Sequence, residues 1–379
     1  PAHPAALILA KGADRRLRAG HVWIYSNEVD TARSPLGTFT AGAQVEVLAS
    51  GGKPMGTAFV NPRTLICGRL ISRHPGQWMT AALLRQRLRA AEDQRRQRFG
   101  QPYYRLAFGD SDGLPGLVVD RFGSTAVVQI SVAGMEALHD DIRQILEREH
   151  RIDRVIFRND AKLRETEGLP TLAADESGPD LLRVEENGVM FEVSASGGQK
   201  TGWFYDHRLN RAALRPYVQG ARVLDVFSYV GGWGIQAAVF GAAAVTCVDS
   251  SAAALERATA NAGLNGVADR VTTLCGDAFD VLKGLRETHQ RFDVVIVDPP
   301  AFIPRRKDIK AGEAAYARLN QLALQVLEAD GLLVSASCSM HLQRERLLDI
   351  IRATARQTDR FAQVLEQGHQ GPDHPILPA

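Results

Sequence analysis

Short apolar runs alternate with stretches of helical periodicity from about Gly197 onward. Val223–Phe227, Ala244–Val248, Val271–Leu274, Val294–Val297 and Leu332–Ser335 read as strands separated by helices. That alternation predicts a parallel sheet with crossover helices. The pattern upstream is different. Gly42–Leu48 alternates through Val45 and Val47 into a Gly51-Gly52 turn, and Lys53–Val60 and Leu65–Ile71 follow as strands of a small β-rich module. A helix is predicted over Thr80–Phe99, then strands near Tyr104–Phe108, Gly116–Asp120 and Ala126–Ile130. A helix from about Met135 to His150 and a strand at Arg154–Phe157 come next. Leu181–Val184 and Val189–Val193, joined by Glu186-Asn187-Gly188, predict a hairpin. These shifts divide the chain into residues 1–75, 76–195 and 196–379.

Composition narrows the class. The 379 residues are 45% hydrophobic and 23% charged, as in an ordinary globular protein. A formal net charge of +2 means that any nucleic-acid surface is local rather than global. The four cysteines, Cys67, Cys247, Cys275 and Cys338, lack the spacing of a zinc site or a disulfide framework and fit a reducing compartment. No uncharged apolar run approaches membrane-spanning length. The expectation is a cytoplasmic protein without a resident metal.

Candidate chemistry gathers at the predicted strand ends, where open α/β sheets bind ligands. Gly232-Trp233-Gly234-Ile235-Gln236-Ala237 fits the loop of a dinucleotide site, and Asp249 ends the next strand, where a ribose-binding acid belongs. A dehydrogenase would share both features. Three others favour S-adenosylmethionine (SAM). Asp225 can meet the cofactor's ammonium group, Asp277 can accept from the adenine amine, and Asp298-Pro299-Pro300 has no role in hydride transfer. Two successive prolines stiffen the strand exit that presents the Asp298 carboxylate. In methyltransferases that act on an exocyclic amine an aromatic residue usually follows the two prolines; here Ala301 follows, with Phe302 one place later, which weakens that alternative without excluding it. Cys338 offers another chemistry. A thiolate adding at carbon 6 of a pyrimidine makes carbon 5 nucleophilic enough to accept a methyl group. Cys247, inside an apolar strand, fits a buried structural thiol.

Longer runs carry a resemblance over essentially the whole chain. Arg15-Arg16 with Gly20-His21-Val22-Trp23-Ile24-Tyr25-Ser26-Asn27-Glu28, Asn61-Pro62-Arg63, Gly68-Arg69-Leu70 and Asp112-Gly113-Leu114-Pro115-Gly116-Leu117 are four of them. Gly198-Gln199-Lys200-Thr201-Gly202-Trp203-Phe204, Asp206, Arg208 and Asn210-Arg211 make a fifth. The chain resembles the RlmI-type family of PUA-domain, SAM-dependent 23S ribosomal RNA cytosine-5 methyltransferases. The resemblance implies an α/β fold with a class I Rossmann-like sheet at the C-terminus. A β-rich PUA domain and an α+β central domain would precede it. It implies Cys338 as the single catalytic cysteine, with Ala301 where related enzymes carry a second one; Asp298 is expected to assist by hydrogen bonding to the cytosine. Residues expected at the cofactor are Phe204, Asp206, Arg208, Asp225, Phe227, Ser228, Gly231, Gly232, Asp249, Ser250, Asp277, Ala278, Asp298 and Pro299. Class I folds end in an antiparallel hairpin, and Phe361–Gln367 is expected to supply its first strand, although the sequence ends at Ala379 without a clear second one.

The expected partner is 23S ribosomal RNA, with no membrane and no metal; a homodimer is one option. Lys11, Arg15, Arg16 and Arg18 with Trp23 and Tyr25 form a candidate RNA surface, as do Arg305, Arg306, Lys307 and Lys310 just after Pro300. The arginines of Thr80–Phe99 read as a solvated face. Two rivals remain: an RNA guanine-N2 or adenine-N6 methyltransferase using Asp298-Pro299-Pro300 and Phe302, and a non-catalytic RNA-binding assembly factor.

Overall fold

The computed structural model describes residues 5–159, 163–171, 179–195 and 201–378. Two compact units emerge. One contains residues 1–184, 194–206 and 370–379, and the other residues 185–193 and 207–369.

The first unit holds two sheets. Ala6–Ile8 (β1), Trp23–Tyr25 (β2), Ala43–Leu48 (β3), Pro54–Val60 (β4) and Ile66–Ser72 (β5) form a sheet of order β1-β3-β4-β5-β2. Its inward alternation buries Leu7, Ile24, Val45, Val47, Ala58, Val60 and Cys67. Tyr103–Phe108 (β6), Leu117–Phe122 (β7), Thr125–Ile130 (β8) and Arg154–Phe157 (β9) form the second, in that order. The helical segment before β9 is two helices, Ala133–Glu136 and His139–Glu149, rather than the single one expected from Met135 to His150.

The helix Ala81–Arg96 starts at Thr80, whose hydroxyl accepts from Leu83 N–H (3.3 Å). The solvated-face expectation holds for Arg85, Arg89, Arg96 and Arg98, which are exposed, and fails for Arg87 and Arg95. Arg95 is buried and pairs with Asp112 through both terminal nitrogens, at 2.8 and 2.7 Å. Arg87 donates to the carbonyls of Gly113 and Ile71, and Arg85 and Arg89 both pair with Glu149. Acids and carbonyls far away in sequence claim these side chains, so local charge density could not reveal them. Asp373 is fully buried here too, accepting from Arg105 N–H at 3.0 Å.

Leu181–Glu186 (β10) and Val189–Ser194 (β11) form the expected hairpin. The second unit is built on Arg222–Val226 (β12), Ala244–Asp249 (β13), Val271–Cys275 (β14), Phe292–Val297 (β15) and Leu327–Ser335 (β16). All their pairings are parallel, in the order β14-β13-β12-β15-β16. The strands β12 and β15 lie in the middle and are buried at almost every position because helices cover both faces. From β12 the chain builds outward through β13 and β14, then returns to lay β15 on the other side. The crevice between the carboxyl ends of β12 and β15 is therefore the topological switch point, where such sheets bind ligands.

No strand forms at Phe361–Gln367, contrary to expectation. The segment is irregular, and Phe361, Val364 and Leu365 are exposed. Its apolar residues fall at 361, 362, 364 and 365, which lacks the two-residue alternation of a half-buried strand. Among the described residues no helix is long and apolar enough to cross a membrane.

Candidate active site

The chain leaves β12 through a turn that side-chain-bearing residues seldom adopt. Phe227 has φ 65° and Tyr229 φ 51°, followed by Gly231 at 84°. Left-handed backbone at such residues costs on the order of 1–3 kcal/mol each and persists only where the surroundings enforce it. Here Ser228 N–H donates to Val248 O (2.9 Å) and Tyr229 N–H to Asp249 Oδ2 (2.9 Å), fastening the turn to β13. A Cβ on Gly234 would lie 2.8 Å from Cys247 Sγ and 3.1 Å from Asp225 Oδ2, so only glycine lets this helix start so close to the sheet.

Three acids sit at successive strand ends. Asp225 is fully buried; its Oδ2 accepts from Gly234 N–H (2.8 Å), and its Oδ1 has no hydrogen-bond partner among the described residues. Burial pushes this carboxyl from an ordinary 3.8 to about 7, against the Gly234 amide and with help from the charges of Asp298 and Asp249. Asp249 accepts from Tyr229 N–H through Oδ2 and from Ser251 N–H (2.9 Å) through Oδ1, with Ser250 exposed beside it. Asp277 caps the helix Ala278–Glu287, its Oδ1 accepting from Phe279 N–H (2.9 Å) and Asp280 N–H (3.2 Å). Asp277 is exposed and Ala278 is buried beneath it. The strained turn, the close-packed glycine and the unpartnered buried carboxylate oxygen together fit a site built for a cationic, ribose-bearing cofactor.

Beyond the strands, Asp298 N–H reaches Val226 O (3.5 Å) and Ala336 N–H reaches Val297 O (3.0 Å). The exits of β12, β15 and β16 are thus held side by side, with Asp298 following β15 and Cys338 following β16. Asp298 Oδ2 accepts from Trp233 Nε1–H (3.0 Å), and its Oδ1 lies 3.5 Å from His207 Nε2. Burial works to raise the Asp298 carboxyl, but His207, Trp233 and Arg211 outweigh it and hold the group below its ordinary range.

Cys338 is exposed, and its thiol points to Pro299 O at 3.8 Å. The serines on either side of it are anchored. Ser337 Oγ donates to the Tyr316 hydroxyl (2.8 Å), which shares a hydrogen with Ser339 Oγ (2.9 Å), and Ile303 N–H donates to Ser339 Oγ (3.1 Å). Tyr316 comes from the helix Ile309–Val326 and is wholly buried. A buried hydroxyl thus fixes the turn that directs the thiol outward. Tyr316, Trp233 and His207 escaped the sequence reading because their roles depend on long-range partners. Phe302 lies in an aromatic cluster, with ring centroids 4.9 Å from Tyr316, 6.2 Å from Phe279 and 6.4 Å from Phe227.

Phe204 and Asp206 belong to the first unit, and Gly198, Gln199 and Lys200 lie outside the described residues. Arg208 is buried with its Nε 3.6 Å from Glu186 Oε2, beside the Arg211–Glu186 pair at 2.6 Å. Gly231 and Gly232 are buried in the turn, and Pro299 is buried behind Asp298. In the first module, Lys11 and Arg15 are exposed, whereas Arg16 pairs with Glu28 (2.8 Å) and covers the Tyr25 ring. Arg18 pairs with Asp14, and Trp23 donates to Asp110 Oδ2 (2.9 Å). After Pro300, Arg306, Lys307 and Lys310 are exposed, and Arg305 pairs with Asp308 (2.9 Å) while remaining exposed. Among the described residues no cluster of three or more His, Cys, Asp or Glu side chains could hold a metal.

Comparison with known proteins agrees with this geometry. A PUA-like domain profile matches residues 7–73, and an S-adenosylmethionine-dependent methyltransferase profile matches residues 173–376, more than half of the chain. Ribosomal RNA large subunit methyltransferase I of Cronobacter sakazakii is 33% identical over 378 residues, covering 98% of this chain and 95% of that protein. The Escherichia coli protein of the same name gives the same figures, 33% identity with 98% and 95% coverage. The crystal structure of SMU.776 complexed with SAH superposes with a TM-score of 0.82 at 20% identity, covering 98% of this chain and 95% of that one. That likeness is one of fold. The identity and coverage to the curated proteins carry more: the chain belongs to the ribosomal RNA large subunit methyltransferase I family, with a PUA-like domain followed by an S-adenosylmethionine-dependent methyltransferase domain.

Proposed function

We propose that the protein methylates carbon 5 of a cytosine in 23S ribosomal RNA through a covalent adduct with Cys338. The observation that carries this reading is the exposed thiol of Cys338, anchored on both sides and 3.8 Å from the carbonyl of Pro299 in Asp298-Pro299-Pro300. Residues 1–75 and 76–195 serve RNA binding, and residues 196–379 carry the chemistry. SAM, when bound, supplies an electrophilic methyl group on a sulfonium. Asp249 would take the ribose hydroxyls, Asp277 the adenine edge, and the turn Phe227–Gly232 the body of the cofactor, with Asp225 buried beneath it.

Cys338 adds as thiolate to carbon 6, and the electron pair of the 5,6 double bond makes carbon 5 the nucleophile. Asp298, kept ionised, accepts from the amino edge of the cytosine and holds the ring in register. After methyl transfer the carbon-5 proton leaves to a base, the double bond re-forms and the thiolate is expelled. Both ring faces must be reachable, so the target base leaves its stack. Lys11, Arg15, Arg16, Arg305, Arg306 and Lys307 would bind phosphates. Phe302 packs among three aromatic rings instead of standing open beside Pro300, which gives the amino-methylation alternative no stacking partner there. The test is nucleoside mass spectrometry of RNA methylated by the protein: 5-methylcytidine is expected, and N2-methylguanosine or N6-methyladenosine would overturn the reading.

A further inference from the structure

Asp298 is held from both sides within the second unit. Trp233 Nε1–H occupies one lone pair of Oδ2 at 3.0 Å, and His207 Nε2 approaches Oδ1 at 3.5 Å. Behind the imidazole, Asn210 Nδ2–H donates to His207 Nδ1 at 3.2 Å. With Nδ1 accepting, the neutral ring carries its proton on Nε2, directed at the carboxylate. Asn210 is itself placed by the chain at the far end of the unit. Its amide also reaches His369 O (3.3 Å), and a Cβ on Gly368 would lie 2.2 Å from its Oδ1. The His207 and Trp233 rings lie 5.4 Å apart, with Arg211 5.9 Å from the Trp233 ring. His207 and Asp298 keep 19% and 20% of their side-chain surface exposed, so the carboxylate is gripped without being sealed.

We propose that Asn210 and His207 form a relay that orients the Asp298 carboxylate for the substrate edge, making His207 a positioning residue for methyl transfer. The inference rests on the reading that Asp298 touches the cytosine. With one lone pair of each oxygen taken, each keeps another for a substrate N–H, in a plane fixed by Trp233 on one side and His207 on the other. No bond to His207 forms or breaks in this role. The electrostatics agree: burial pushes Asp298 up, while His207, Trp233 and Arg211 bring it down. The titratable and charged groups facing this carboxylate are His207 and Arg211, which favour its ionised form, and Asp225 of β12, a carboxyl with which it interacts unfavourably.

The experiment compares the wild-type protein with His207→Phe, His207→Gln and Asn210→Leu. Single-turnover methyl transfer is followed from about pH 4 to about pH 8, alongside SAM affinity by calorimetry and adduct formation on 5-fluorocytosine RNA. His207→Phe is expected to slow methyl transfer by roughly 10²-fold, the scale of a misplaced catalytic group. SAM affinity should stay within about twofold and the acid limb of the rate profile should move to higher pH. His207→Gln, which can place an N–H where Nε2 stood, restores most of the rate, and Asn210→Leu shifts rate and limb the same way by a smaller step. An unchanged rate and limb in His207→Phe overturns the relay, as does equal loss in His207→Phe and His207→Gln. If the wild-type protein forms no adduct, the cytosine-5 reading falls and the relay with it. If wild type and His207→Phe form adduct equally fast, the relay alone falls.

Discussion

Asp225→Asn should make the sheet of the second unit less sensitive to pH. The wild-type carboxyl is buried under the cofactor turn, with one oxygen on Gly234 N–H and the other without a partner among the described residues. Its pKa rises from 3.8 to about 7, with burial as the main cause. In an unfolded chain the group titrates near its ordinary value. Below that value both states are protonated and Asp225 makes no difference to stability. As pH rises, the unfolded chain releases its proton first, so stability falls by about 1.4 kcal/mol per pH unit until the folded group also ionises near 7. The full loss is roughly 4 kcal/mol, of which about 2.7 kcal/mol lies above pH 5. Asparagine keeps an acceptor for Gly234 N–H and has no proton to lose. Urea unfolding of wild type and Asp225→Asn, read by hydrogen exchange in peptides covering β12 and β13, isolates the effect from the first unit. Between about pH 5 and about pH 8, wild type should lose roughly 2–3 kcal/mol more than the variant. Parallel pH dependence in the two proteins would refute the argument that Asp225 is buried in its neutral form.

Two further expectations concern binding. Asp249→Ala should weaken SAM binding by roughly 1–3 kcal/mol, the scale of charge-assisted hydrogen bonds, and unchanged affinity by calorimetry would remove Asp249 from the ribose. Neutralising Arg305, Arg306 and Lys307 together should lower RNA affinity and flatten its dependence on log salt, with SAM affinity unaffected. The slope should fall by about 0.7 to 0.9 for each phosphate that these side chains no longer neutralise. An unaltered slope would return this exposed loop to the role of a solvated segment.

The parallel sheet was legible in the sequence because β12 and β15 are largely buried on both faces and read as short apolar runs, broken only by Arg222, Asp225 and Asp293. The acids at strand ends were legible for a related reason, since a charged residue closing an apolar run has few places to go. Their local duties were not. The capping of Asp277 and the double amide grip on Asp249 depend on how the following turn closes. Only the part of Leu327–Ser335 from Leu332 onward was legible, because Glu328, Asp330 and Gly331 interrupt its apolar pattern near the irregularity opposite Phe292 and Val294. The anchoring of Cys338 by Tyr316, and the grip of His207 and Trp233 on Asp298, join residues more than 20 positions apart. No local periodicity encodes such pairs. The arginines of Ala81–Arg96 show the same limit: a charge run in sequence became a set of ties to Asp112, Glu149 and two carbonyls.

The central claim is that Cys338 attacks the target ring. RNA carrying 5-fluorocytosine at the target cannot lose its carbon-5 substituent as a proton, so after methyl transfer the elimination that expels the thiolate is blocked and the thioether stays intact. Incubated with SAM and this RNA, the wild-type protein should accumulate an adduct that survives denaturing electrophoresis, with the cross-link mapping to Cys338 by peptide mass spectrometry. Cys338→Ala should bind SAM, form no adduct and leave unmodified cytosine unmethylated. Full methylation by Cys338→Ala, or an adduct on Cys67, Cys247 or Cys275, would contradict the account.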